Sequence, residues 1–394
     1  MNDESIQLSE YPPSGGPGEV GRLAFKLGCT AFGGPAAHIA MLRREVVEER
    51  KWIDEELFTA FLGLTNLIPG PNSTELILLT GRTRAGFRGF LAAAVGFITP
   101  AVLITYFFAV LYVRYGTRAG MAWMLYGVKP VIIVIVVHAL WGMAKFQLMG
   151  LIPLVIAGGA MIGYLASVNE LVLLAIAGGA AVVVRLGKRR ADAMKRTTIS
   201  LFAFKTGVLS LSAIASDGVS YGSWRLFWSF LKIGAVLYGS GYVLIAFLRS
   251  EFVVKLGWIS EQQLLDAVAF GQITPGPVFS TATFVGYLAG GTTGALFATV
   301  GIFLPSFIFV LAASRLLRLF TRHEWLMIAL GGVIAASLGL MAGVMIELGE
   351  DALVDFQTVV IAVFAAFLLF RWKMSSTRLL FLGAVAGLFF NVIA

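Results

Sequence analysis

Long apolar runs separated by short polar or basic segments dominate the chain. Several runs approach or reach the roughly 20 residues that an α-helix needs to cross a bilayer. They cover residues 90–111, 128–143, 150–165, 171–184, 294–313, 326–346, 357–370 and 379–393. The pattern predicts an all-α, polytopic membrane protein with about nine to ten spans plus hairpins.

Composition and charge support a membrane protein. Hydrophobic residues make up 58% and charged residues 13% of the chain, which is too much apolar surface for a water-soluble fold. We interpret the formal charge of +8 as basic cytoplasmic loops and not as a nucleic-acid surface. Cys29 is the single cysteine, which excludes an intrachain disulfide and a metal site built on several thiolates. Residues 1–19 are polar and turn-rich, so we expect a disordered tail and not a signal peptide.

The second half of the chain repeats residues of the first half in the same order and at a nearly constant spacing. The matched pairs are Lys26 and Lys232, Gly28 and Gly234, Glu45 and Glu251, Trp52 and Trp258, Asn66 and Gln272, the Pro-Gly-Pro (PGP) motifs at 69–71 and 275–277, and Pro100 and Pro305. Internal repeats of this kind are typical of transporters. We therefore predict a first transporter repeat over 20–187, a cytoplasmic linker with an odd crossing over 188–224, and a second repeat over 225–394.

Basic residues predict that the second repeat is inverted in the membrane. The loop after the first PGP motif contains Arg82, Arg84 and Arg88, whereas the matching loop at 287–293 has no charge. By the positive-inside rule the first loop faces the cytoplasm and the second, which contains Thr292, faces outside. The basic cluster at 185–190 then also faces the cytoplasm, and the acidic loop at 347–355 faces outside.

The PGP motifs interrupt apolar segments that are too short to span a membrane separately. This suits a re-entrant hairpin or a broken helix whose turn is buried in protein. A helix that starts at proline presents unpaired N–H groups and its positive dipole end, which together favour an anion. We therefore predict an oxyanion site near the membrane midplane. Its residues are Asn66, Pro69, Gly70, Pro71, Ser73, Thr74, Gln272, Pro275, Gly276, Pro277, Ser280 and Thr281.

A second helix break follows each of two lysines and is assigned to the same site. The breaks lie at Gly33, Gly34 and Gly239, shortly after Lys26 and Lys232. Neither lysine has a carboxylate within one helical turn along the sequence. One such lysine would be interpreted as reaching the headgroups, but an inverted pair would bring two cations to a dianion.

Glu75 and His38 are the candidates for proton coupling, because each has a non-ionisable counterpart, Thr281 and Leu244 respectively. The alternatives are structural. A carboxylate in the first turn of a helix complements the helix dipole, and an isolated histidine is often held by hydrogen bonds in the interior.

The motifs FGGPAAH (32–38), NLIPGPNSTEL (66–76), GRTRAGFRG (81–89) and GFITPA (96–101), with the segments 238–244, 264–287 and 301–307, resemble the chromate ion transporter family in its long two-domain form. The resemblance implies a plasma-membrane carrier that exports chromate, confers chromate resistance and is energised by protons or the membrane potential. Glu75 stands where the family more often has glutamine.

Two alternatives stay open. Sulfate has nearly the shape and charge of chromate, so a carrier of sulfate or a related oxyanion is the first. A membrane-embedded enzyme or scaffold is the second, although the sequence shows no nucleophile–base cluster, metal-ligand group or phosphate-binding loop. We expect no cofactor, no metal and no nucleic-acid partner. A lipid bilayer is the expected surrounding, and a homodimer stays open.

Overall fold

The computed structural model describes residues 15–32, 34–116, 118–194, 222–238, 241–313 and 323–393. The predicted site residues Gly33 and Gly239, most of the predicted tail and most of the predicted linker lie outside these residues. No β-strand occurs in the described part of the chain, in agreement with the predicted all-α fold. The helices are α1 (Pro17–Thr30), α2 (Gly34–Arg43), α3 (Glu55–Thr65), α4 (Asn72–Tyr115), α5 (Ala119–Gln147), α6 (Leu151–Leu165), α7 (Glu170–Met194), α8 (Ser223–Val236), α9 (Leu244–Leu248), α10 (Glu261–Ile273), α11 (Thr281–Leu311), α12 (Glu324–Ala352), α13 (Phe356–Trp372) and α14 (Ser376–Ile393).

Four helical stretches in the described part are long and apolar enough to cross a membrane, namely 72–115, 120–147, 278–311 and 325–352. Shorter apolar helices lie at 151–165, 356–372 and 376–390. Large apolar side chains such as Phe364 and Phe381 remain exposed on the outer helices, as expected where lipid replaces water. This is the architecture of a multi-pass membrane protein.

The helices α4 and α11 each turn back on themselves at a glycine. Gly86 has φ 61° and ψ −150°, and Gly291 has φ 61° and ψ −152°. In a straight helix Gly81 and Ala93 would be about 18 Å apart, yet a Cβ on Gly81 would lie 2.8 Å from the Ala93 Cβ. Each helix therefore consists of two antiparallel arms, and a glycine supplies the left-handed conformation at the reversal.

In each half, the first helix packs closely on the second arm of the helix that turns back on itself. Gly28 of α1 lies against the Phe97 carbonyl of α4, and Gly234 of α8 lies against the Ile302 carbonyl of α11. Only glycine allows backbones to approach this closely. The helices α4 and α11 also contact each other, whereas α12 packs on α5, α6 and α7, and α13 and α14 pack on α5.

The short helices before the PGP motifs also correspond between the halves. A π-helical turn at Arg44–Glu49 precedes α3, and another at Arg249–Lys255 precedes α10. The α3 helix begins because the Asp54 carboxylate accepts the Leu57 N–H, and α10 begins because the Ser260 hydroxyl accepts the Gln263 N–H. The two halves therefore place their PGP turns on equivalent scaffolds.

Candidate functional site

Both PGP turns are buried inside the protein. Gly70 has φ +141° and Gly276 has φ +91°, so each turn uses a conformation that favours glycine. Pro71 directly precedes α4, and Pro277 directly precedes a 3₁₀ turn that continues into α11. The PGP residues are withdrawn from the surface of the protein, as expected for turns that are buried in protein.

Each PGP turn bonds to the other half of the chain. The Gly70 N–H donates to the Leu237 carbonyl at 2.8 Å, and the Gly276 N–H donates to the Ala31 carbonyl at 3.0 Å. Leu237 and Ala31 are the residues that end α8 and α1. The halves are thus joined by two equivalent backbone hydrogen bonds. These two N–H groups are already used, so an anion would have to use other donors.

His38 extends one of these bonds into a continuous link. Its Nε2 lies 3.0 Å from the Ala31 carbonyl and its Nδ1 lies 3.3 Å from the Ser73 hydroxyl. A carbonyl can only accept, so Nε2 carries a proton, and in the neutral ring Nδ1 accepts from the Ser73 hydroxyl. Ser73, His38, Ala31 and Gly276 therefore connect the two PGP motifs, and both ring nitrogens of His38 are engaged.

In the second half, hydroxyls around the PGP turn are already engaged or closely packed. Thr105 of α4 donates to the Ser280 hydroxyl at 3.1 Å and lies 3.5 Å from the Thr274 hydroxyl. The Thr281 side chain is buried against Gly271. In α10, Phe270 stacks on Phe284 of α11 with 5.2 Å between ring centroids. This side-by-side packing across the turn favours a re-entrant hairpin.

Two of the residues predicted to bind the oxyanion have a buried hydrogen-bond group that lacks a partner among the described residues. These are the Thr74 hydroxyl and the Gln272 side-chain N–H₂, with side chains 0% and 8% exposed. Asn66, the counterpart of Gln272, is exposed, and its side-chain oxygen accepts a hydrogen bond from the side-chain amide of Asn72 at 2.6 Å. Buried unpaired donors are costly, so Thr74 and Gln272 fit a polar ligand, whereas Asn66 does not lie in the interior.

Glu75, one of the two candidates for proton coupling, lies beside the first PGP turn. Its side chain is fully buried, and neither carboxylate oxygen has a hydrogen-bond partner in the described part of the chain. The carboxylate and the Ser306 hydroxyl both point to the space where a side chain at Gly70 would lie. Tyr238 lies near Glu75. A carboxylate here would oppose an anion unless it carried a proton.

The structure does not bring the lysines to the PGP turns. Lys26 forms an ion pair with Glu45, which also pairs with Arg50 at 3.0 Å. Lys232 lies 3.5 Å from Glu251. The expectation that no carboxylate neutralises the lysines is wrong, because the chain returns after α2 and after α9 to place a glutamate beside each one. The lysine side chains are 55% and 42% exposed, in contrast to the buried PGP turns.

The second helix break contacts the other half. Gly34 has φ +77°, and a Cβ there would lie 2.9 Å from the Tyr242 hydroxyl. Gly34 is therefore a close contact between the halves near His38, and does not by itself present a binding group.

Sequence reasoning missed two partly buried ionic clusters around α10. Arg249 pairs with Glu261 at 2.6 Å and also with Glu347 of α12. Lys129 of α5 lies 3.1 Å from Asp266. Lys129 lies inside the run at 128–143, which was interpreted as apolar. A charged residue inside such a run is itself a signal of a partner within the protein. Both clusters tie the second PGP half to the outer helices.

Comparisons with known proteins agree with the fold. A model of the chromate transporter family matches residues 18–183 and again 224–388. The chromate transport protein of Pseudomonas aeruginosa is 33% identical over 377 residues, covering 92% of this chain and 89% of the relative. The probable chromate transport protein of Synechococcus elongatus is 29% identical over 98% of this chain and 99% of the relative. An uncharacterized transporter of Methanocaldococcus jannaschii is 27% identical over 92% of this chain and 91% of the relative.

No solved structure matches the chain significantly. The family model nevertheless covers each half separately, with boundaries that fall near the starts of α1 and α8. The matched relatives are named transport proteins, so the chain is a transport protein and not an enzyme. With both halves matched, the chain belongs to the chromate transporter family.

Proposed function

We propose that the protein exports chromate across the plasma membrane as a secondary-active transporter and thereby confers chromate resistance. The relatives named chromate transport proteins cover most of the chain, which supports chromate as the substrate. Chromate is a tetrahedral dianion, and a dry site with several hydrogen-bond donors would replace its hydration shell.

The reciprocal bonding of the two PGP turns is the observation that carries this proposal. It supports a single oxyanion site between the halves, bounded by the helix that starts after Pro71 and by the turn after Pro277. The unpaired Thr74 hydroxyl and Gln272 amide are the side-chain donors. The first backbone N–H groups after each PGP turn are the main-chain donors.

Alternating access follows if the halves are inverted repeats, with repeats over 20–187 and 225–394 and an odd crossing over 188–224. The equivalent glycine reversals and equivalent backbone bonds support two related halves. Such halves can exchange two conformations about a shared site. Exchange would require one of the two inter-half bonds to lengthen in each state.

Transport of labelled chromate and sulfate into vesicles of known orientation tests the proposal. We expect chromate to accumulate in inside-out vesicles and to respond to the membrane potential. Preferential transport of sulfate would replace chromate with the runner-up substrate. Transport of neither anion by protein that remains folded would refute the proposal.

Substitution of the matched amides tests the site itself. Gln272→Leu removes a buried unpaired donor and should lower chromate affinity, whereas Asn66→Leu changes an exposed side chain and serves as its control. One hydrogen bond to a charged group contributes about 1.5–3 kcal/mol, so the affinity should fall at least about tenfold in the first variant. Equal effects of both changes would place the anion elsewhere.

A further inference from the structure

We propose that Glu75 holds a proton whenever the oxyanion is bound, so that one proton crosses the membrane with each anion. This inference rests on the oxyanion site proposed above. It assigns a proton-binding site to one half of the chain and identifies the ion that moves together with the anion.

The surroundings of Glu75 offer a carboxylate little stabilisation, limited to the start of the helix and the nearby Ser306 hydroxyl. The side chain is fully buried, and both oxygens lack hydrogen-bond partners among the described residues. The neighbouring Thr74 hydroxyl and the Ser306 hydroxyl of α11 are also unpaired and fully buried. An isolated buried carboxylate is strongly disfavoured, and a proton removes its charge. A protonated Glu75 could donate to Ser306 and leave Thr74 for the anion.

The titratable groups that face this position do not supply a compensating cation. Tyr238, which follows α8, interacts with Glu75 as a phenol. His38 of α2 is linked to Ser73 and is buried, and burial disfavours the charged form of its ring. Lys26 and Lys232 are paired with glutamates of their own halves.

Position explains why the proton and the anion are coupled. Glu75 lies in the first turn of the helix after Pro71, which is the turn proposed to bind the oxyanion. A carboxylate and a dianion cannot share this low-dielectric site without strong repulsion. The anion should therefore bind only to the form with protonated Glu75, and the two ions should move in the same direction. The charge carried per cycle is then one negative charge and not two.

The other half supplies a natural comparison. The position that corresponds to Glu75 is Thr281, which cannot ionise, and the position that corresponds to Ser306 is Ala101. In the described site, an acid with a hydroxyl neighbour from the opposite half therefore occurs at one of the two equivalent positions. We therefore expect one coupled proton per anion.

Anion binding measured against pH tests the coupling. If only the protonated form binds, the apparent affinity should fall about tenfold per pH unit over the range in which Glu75 loses its proton. Glu75→Gln preserves the shape of the side chain and cannot ionise, so this fall should be absent. Glu56→Gln, an exposed carboxyl of α3, is the matched control and should behave as the unmodified protein. Chromate itself takes up a proton near neutral pH, so the comparison is made between variants at each pH.

Proton flux and infrared spectra separate this inference from the proposed function. In proteoliposomes containing a pH-sensitive dye, chromate flux should carry protons in the unmodified protein and in Glu56→Gln, with one proton fewer per anion in Glu75→Gln. Unchanged proton flux in Glu75→Gln overturns the inference and leaves chromate transport intact. Infrared difference spectra should show a protonated carboxylic acid that is missing in Glu75→Gln. If the infrared band of the protonated acid is present but no anion is transported, only the proposed function is refuted. If the band is absent from the unmodified protein, the inference is overturned, even if the Glu75→Gln variant does not fold.

Discussion

Replacement of Gly276 by alanine tests how tightly the halves interlock at the PGP turns. The residue has φ +91°, and a Cβ there would lie 2.9 Å from the Ala101 Cβ and 3.2 Å from the Gly28 carbonyl oxygen. Both neighbours belong to the first half, and the carbonyl is part of the helix backbone. The added methyl group cannot be accommodated by moving a flexible side chain, so the turn itself would have to shift.

Gly257 separates the conformational cost from the steric cost. It has φ +59°, and a Cβ on it would meet nothing within 4 Å. A left-handed conformation costs an L-residue roughly 1–2 kcal/mol, so Gly257→Ala should lower the free energy of unfolding by that amount. Gly276→Ala adds overpacking of about 1–3 kcal/mol. We therefore expect a total loss of about 2–5 kcal/mol and a loss of transport, because the Gly276 N–H···Ala31 bond would be displaced.

The double variant Ala101→Gly/Gly276→Ala identifies the contact. Removing the Ala101 methyl group frees the nearest space, so the two changes should be less harmful together than their sum, by about 1–2 kcal/mol. The measurement is reversible unfolding in mixed micelles, followed by tryptophan fluorescence. If Gly276→Ala is no worse than Gly257→Ala, or if Ala101→Gly gives no relief, the proposed packing of this turn against the first half is refuted.

Three further outcomes follow from the same contacts. Lys26→Met and Lys232→Met should each lower stability by less than about 1 kcal/mol, because the lysines are about half exposed and each glutamate keeps a second basic partner, Arg50 or Lys255. Both variants should retain chromate transport; loss of transport in both at normal expression would return the lysines to the site. Cysteines at Arg88 and Thr293, in a Cys29→Ala background, should be labelled by an impermeant maleimide from opposite sides, and labelling from one side would contradict the inverted repeat. His38→Phe removes two hydrogen bonds and should lower the free energy of unfolding by about 1–3 kcal/mol, since each polar contact in a membrane protein contributes about 0.6 kcal/mol on average and about 1.7 at most. The pH dependence of transport should stay unaltered, whereas a titrating His38 would change it.

Local features of the fold were predictable from the sequence. The apolar runs indicated membrane helices, and proline and glycine at the PGP motifs indicated where helices had to stop. The glycines of α1 and α8 recur at matched positions, and the structure explains this because their backbones touch the Phe97 and Ile302 carbonyls. These features depend on residue type and on spacing along the chain.

Contacts between distant segments were not predictable. Lys26 has no acidic neighbour in α1, and its partner Glu45 arrives only after α2 has reversed the chain. The hydrogen bond from Gly276 to Ala31 depends on how the two halves pack together. The pattern of apolar residues along the sequence does not indicate that packing. The proposed anion donors consequently no longer include the lysines, and are Thr74, Gln272 and the first N–H groups of the helix starts.

The places where the halves differ bear on how the site could work. The scaffold is repeated closely, as its equivalent glycine reversals and backbone bonds demonstrate. The halves differ at the PGP turns. Glu75 of the first half corresponds to Thr281 of the second, and the exposed Asn66 corresponds to the buried Gln272. Two identical halves would make the two access states equal in energy. An ionisable group beside Ser306 in one half only makes their energies depend on pH, so the asymmetry would let a proton bias a carrier whose framework is otherwise balanced.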